Sequence, residues 1–79
     1  MTQRSISREL VLNAVREVDE RLNIHDFRFV RGHTHSNLIF DVSAPFELKM
    51  SDDELKRMIA TKVSRIDPNY FAVLTIDRQ

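Results

Sequence analysis

Apolar residues recur every fourth position along the first part of the chain, at Ile6, Leu10, Ala14, Val18 and Leu22, and Val11 and Val15 widen the stripe. Arg8, Glu9, Arg16, Glu17 and Glu20 fall on the other side. This period predicts an amphipathic helix over residues 6–22, with Ser5 as N-cap and Asn23 closing it in a left-handed conformation. The pattern then changes to alternation. Residues 24–31 and 38–43 are short runs rich in β-branched and aromatic side chains, separated by the polar Gly32-His33-Thr34-His35-Ser36-Asn37, and read as a hairpin. Pairing Phe27 with Phe40 and Phe29 with Leu38 places Phe27, Phe29, Leu38, Phe40 and Val42 on one face. Asp26, Arg28, Val30, Ile39, Asp41 and Ser43 then occupy the other. Pro45 closes the second strand. Ser51-Asp52-Asp53-Glu54 is a capping box, stapled by Met50 and Leu55, for a helix whose stripe is Leu55, Met58, Ile59, Val63 and Ile66 and which ends at Pro68-Asn69. Alternation over residues 71–78 gives a third strand.

The order α-β-β-α-β, with a crossover that returns the third strand parallel to the second, predicts an α+β, ferredoxin-like fold without its first strand. It has a three-stranded mixed sheet, both helices on one face and the other face uncovered. Residues 1–79 form a single domain, since 79 residues leave no room for a second core.

Composition narrows the function. Twelve basic side chains balance 12 acidic ones, which argues against a nucleic-acid binder built on phosphate neutralisation. With no cysteine and one glycine, thiolate chemistry, disulfides and Gly-rich phosphate loops are out of reach, and a small sheet offers no deep substrate pocket; no enzyme activity is expected. No apolar run approaches the roughly 18 residues of a membrane span. A domain this small without disulfides draws stability from oligomerisation, so a homodimer is expected.

The topology brings distant polar residues together. His25, Asp26, Asp41, Thr75 and Asp77 belong to one end of the sheet, where hard oxygen ligands and an imidazole suit a divalent cation. The competing interpretation is solvated strand-end charge, paired with Arg28 and Arg78. Strict alternation sends His25 to the helix-covered face, so it joins the group only if the regular strand starts after it. His33 and His35 sit in the hairpin loop without a third ligand nearby in sequence and read as solvated. Val30, Ile39, Phe71 and Val73 on the uncovered face suggest a docking surface.

The stretches Ile24-His25-Asp26-Phe27-Arg28, Asn37-Leu38-Ile39-Phe40-Asp41-Val42 and Val73-Leu74-Thr75-Ile76-Asp77, with the Asp67-Pro68-Asn69-Tyr70 turn, resemble the cytosolic C-terminal domain of cation diffusion facilitator transporters over nearly the whole chain. The resemblance implies a metallochaperone-like fold at the cytoplasmic face of the membrane. It also implies dimerisation, and zinc or related ions held between protomers. Carried over residue by residue, His25 and Asp77 match family ligands, whereas Asp41 stands in place of a ligand histidine and Thr75 replaces another. Glu54 falls near a third ligand histidine. The metal set is therefore His25, Asp41 and Asp77, with His35 and Glu54 as further candidates. Replacing imidazole by oxygen shifts preference from zinc towards manganese or magnesium, or to no ion. The expected function is a cytosolic dimerisation and regulatory domain of a divalent-cation efflux transporter, partnered with a transmembrane domain if the chain is an excised piece. The alternatives are a structural dimerisation module without metal and a free-standing cytosolic metal carrier.

Overall fold

The structure, a computed structural model, describes residues 7–79. Two helices and three strands follow in the expected order: α1 (Arg8–Val18), β1 (Asn23–Val30), β2 (Ser36–Ala44), α2 (Asp52–Ile66) and β3 (Tyr70–Arg78). The sheet runs β1-β2-β3, with β1 antiparallel and β3 parallel to β2. The α+β, ferredoxin-like architecture read from the sequence is the one observed.

The expected cap Ser5 lies outside the described residues. Within them Ser7 caps α1, its side chain accepting from the Leu10 amide at 3.2 Å. The helix also stops four residues early. Asp19 leaves it in an extended conformation (φ −161°), and its carboxylate accepts from the Arg21 amide and guanidinium at 2.9–3.0 Å. Those bonds fix a turn and hold the Asp19 carboxyl at a pKa of about 2. Leu22 therefore reaches the core from this turn rather than from a helix, and Asn23 opens β1 instead of adopting a left-handed cap. Arg8 and Arg16 donate to the Ile24 and Leu22 carbonyls at 2.8 and 3.1 Å, binding α1 to the chain that follows it.

Ser51 caps α2 as its sequence predicts, accepting from the Glu54 amide at 3.1 Å, and Leu55 is fully buried with Met50 against the same core. Between the hairpin strands, a Cβ on Gly32 would collide with the His35 carbonyl oxygen, so this loop position admits only glycine. The core lies between the helices and one face of the sheet. Val11 and Val15, Ile24, Leu38, Phe40 and Val42, and Leu55, Ile59 and Val63 are all 0–1% exposed. Burying side chains of this size stabilises by roughly 1.5–3 kcal/mol each. Leu10 and Met58, counted in the apolar stripes, are in fact 45% and 39% exposed. Each sits at the margin of its stripe, on the side facing away from the sheet, where the short helices have no third element to cover them.

Candidate functional site

The uncovered face of the sheet is built in rows, because residues paired across β1, β2 and β3 point the same way. At the hairpin end the rows are Val30–Asn37–Phe71 and Arg28–Ile39–Val73. At the other end they are His25–Asp41–Thr75 and Asn23–Ser43–Asp77. One residue makes the third row possible. Asp26 adopts φ 55°, and the β1–β2 register shifts between His25 and Arg28. This is a β-bulge, in which one strand spends an extra residue against its partner and its side chains exchange faces. Upstream of it Ile24 turns into the core and His25 turns outward, opposite Asp41. Strict alternation had placed His25 on the covered face; the bulge overturns that and brings the imidazole to the acidic group. Downstream, Phe29 pairs with Leu38 as expected, and the Phe27 and Phe40 rings remain on one side with centroids 6.2 Å apart.

Of the sequence-predicted residues, the fold thus collects His25, Asp41 and Asp77 on one end of one face. His25 Nε2 lies 3.3 Å from Ser43 Oγ, a contact that binds the imidazole to the row of Asp77. Ser43 was not among the candidates, although its place two residues after Asp41 puts it on the same side of β2. Asp26, Phe27, Arg28, Ile39, Phe40 and Asp41 line an open groove of about 490 Å³ beside the bulge.

His35 and Glu54 are not brought to this end. His35 lies beyond the start of β2, stacked on Phe71 with ring centroids 4.3 Å apart, and Thr34 Oγ1 is 3.2 Å from its Nδ1. Glu54 is exposed in the first turn of α2, on the helix side of the sheet. Arg78, a salt-bridge partner in the solvated-charge interpretation, does not reach the acidic rim. Being next to Asp77 in a strand, Arg78 points to the opposite face, where it pairs with Asp52 at 3.0 Å and donates to the carbonyls of Pro45, Leu48 and Met50. Among the described residues, Arg28, Asp26, Asp41 and Asp77 form no ion pair.

The spacing limits what one chain does alone. His25 and Asp41 are cross-strand neighbours. Asp41 and Asp77 are diagonal, and His25 and Asp77 stand two strands and two residues apart, roughly 12 Å by strand spacing and rise. Among the described residues no group of three or more His, Asp or Glu side chains is close enough to hold a metal ion.

Two solved structures from work on the mode of action of a candidate zinc transporter, CzrB, share this fold. One superposes with a TM-score of 0.63 at 18% identity, over 95% of this chain and 99% of that one. The zinc form gives 0.62 at 17% identity, over 99% of this chain and 94% of that one. The likeness is one of fold, and it spans both chains nearly end to end. No family model and no curated protein sequence matches the chain. Among the described residues no helix is long and apolar enough to cross a membrane.

Proposed function

We propose that this chain is the cytosolic dimerisation and regulatory domain of a divalent-cation efflux transporter, with its open sheet face turned to a second copy. The observation that carries the reading is the bulge that presents His25 beside Asp41, with Asp77 on the same rim and neither carboxylate paired with a described cation. It occurs in a domain whose fold is shared end to end with the CzrB structures, one of them a zinc form. One protomer supplies too few donors within reach of one ion, so the ion would draw ligands from both. Two facing carboxylate rims repel each other, and a divalent cation between them removes that repulsion. The coupling works because the ion binds the closed arrangement more tightly than the open one. Two carboxylates and one imidazole per chain favour manganese or a similar ion over zinc held by several imidazoles.

The test is small-angle scattering of the 79-residue chain with and without manganese or zinc, paired with calorimetric titration. Cation should compact the dimer and raise its melting temperature, as any ligand of the native state does. The Asp41→Ala/Asp77→Ala variant should lose both responses while keeping its fold. A variant that responds as the unmodified chain does removes the site.

A second reading has an observation of its own. The lack of any three-ligand group among the described residues favours a structural dimerisation module that binds no ion. A dimer giving no heat and no stabilisation at millimolar cation would support it. A monomer that binds cation tightly would instead indicate a free metal carrier.

A further inference from the structure

We infer that the exposed side of α2, together with the first turns of α1, docks on an anionic phospholipid surface. Over residues 55–66 the helix carries Lys56, Arg57, Lys62 and Arg65 and no acidic side chain, in a chain of zero formal net charge. The acids of α2, Asp52, Asp53 and Glu54, are confined to its first turn. Helical spacing puts Arg57, Met58, Thr61, Lys62 and Arg65 on one side, where they line an open depression of about 410 Å³. A second depression, which includes Leu10 and Ile66, adjoins it through Lys62 and Arg65.

Two features separate this surface from ordinary solvated charge. Arg57 and Arg65 form no ion pair with a described residue; Glu17, the acid lining the two depressions, pairs with Lys62 at 3.1 Å, and Glu9 in the first turn of α1 is balanced by the adjacent Arg8, so the surface keeps a net positive charge. Leu10 and Met58 are 45% and 39% exposed among these cations. Cationic heads around protruding apolar side chains are what an interfacial helix offers to lipid headgroups and the acyl chains below them. Neither helix carries an aromatic side chain for stacking bases, which disfavours single-stranded nucleic acid as the anion.

The placement agrees. Glu17 meets Lys62 while Leu10 shares a depression with Ile66, so α1 runs antiparallel to α2 and begins beside its basic end. Only the choice of a bilayer as the nearest anion rests on the proposed function: a membrane domain joined ahead of α1 would bring a bilayer to this end.

Each Lys or Arg close to an anionic membrane adds about fivefold in affinity, so three make a weak contact in free solution and an effective one for a tethered domain. The test is an amide NMR titration of the 79-residue chain at low salt with phosphatidylglycerol-containing nanodiscs, and with phosphatidylcholine nanodiscs as control. Perturbation should be confined to the C-terminal half of α2 and the start of α1, and absent with phosphatidylcholine. Arg57→Gln/Arg65→Gln should weaken binding roughly 25-fold, by the same per-residue factor, with its melting temperature unchanged. Lys49→Gln, away from this patch, should bind as the unmodified chain does. Equal binding to both lipids, no binding, an unaffected double variant, or tighter binding to an RNA homopolymer would each overturn the inference. The cation titration above, run on the same sample, is independent: lipid binding without a cation response supports the basic surface while removing the metal site, and the converse does the opposite.

Discussion

The two faces of this sheet use the same three strands and differ in almost everything else. On the covered face Leu38, Phe40 and Val42 are 0–1% exposed under two helices. On the open face Val30, Phe71 and Val73 are about half exposed, and beyond them His25, Asp41 and Asp77 stand without a cation partner among the described residues. Adjacent residues of one strand therefore live in different physical regimes. The covered face is held by burial, and the open face leaves its apolar and acidic side chains in contact with solvent.

The largest test sets two neighbours on β2 against each other. Phe40→Ala removes a buried ring and should cost about 3–5 kcal/mol, which leaves a domain of this size largely unfolded; Ile39→Ala on the open face should cost only about 1 kcal/mol. Urea denaturation of both variants checks this. Comparable losses would mean that the open face is also packed, and in solution a second chain is what would pack it.

A smaller effect separates Arg78 from Asp77. Arg78→Met leaves the Leu48 and Met50 carbonyls without their donor, whereas the Pro45 carbonyl keeps the Leu48 amide, and should lower stability by roughly 2–3 kcal/mol while leaving any cation response intact. Asp77→Asn should change stability by no more than about 0.5 kcal/mol and weaken that response. Thermal melts with and without manganese distinguish the two.

The smallest concerns the residue that decides which face His25 joins. The left-handed backbone of Asp26 disfavours a β-branched side chain by about 1–2 kcal/mol, so Asp26→Val should destabilise by that amount. Asp26→Gly should gain up to about 1 kcal/mol and keep His25 exposed. Denaturation gives the energies, and imidazole NMR shifts report whether His25 is solvated. A histidine that becomes buried in the glycine variant would show that the bulge depends on the Asp side chain.

Element order and strand pairing were legible because each rests on a short-range pattern: a helical period in Val11, Val15, Leu55, Ile59 and Val63, and alternation from Leu38 to Val42 and from Ala72 to Ile76. The capping box at Ser51 announced α2 for the same reason. The candidate site was legible only in part. Its residues could be assembled from topology, and Asp41 and Asp77 fell where alternation puts them. His25 did not, because nothing in Ile24-His25-Asp26-Phe27 distinguishes a regular strand from one that takes up an extra residue. The early end of α1 was hidden similarly. The helical period continues to Leu22, and only the Asp19–Arg21 bonds reveal that the last apolar residue arrives from a turn.

Which segments are helix and strand, which side of each is apolar, and hence the layering of two helices on one sheet face can be read from the order of residues. Those properties follow from neighbours within a few residues along the chain. Tertiary structure alone decided that His25 faces Asp41, that Arg78 serves the loop before α2 rather than the acidic rim, and that Leu10 and Met58 stay exposed between basic side chains. Each of these depends on what lies across a strand pair or at the margin of a helix pair. That is a matter of distances between residues far apart in the chain, and no local pattern encodes it.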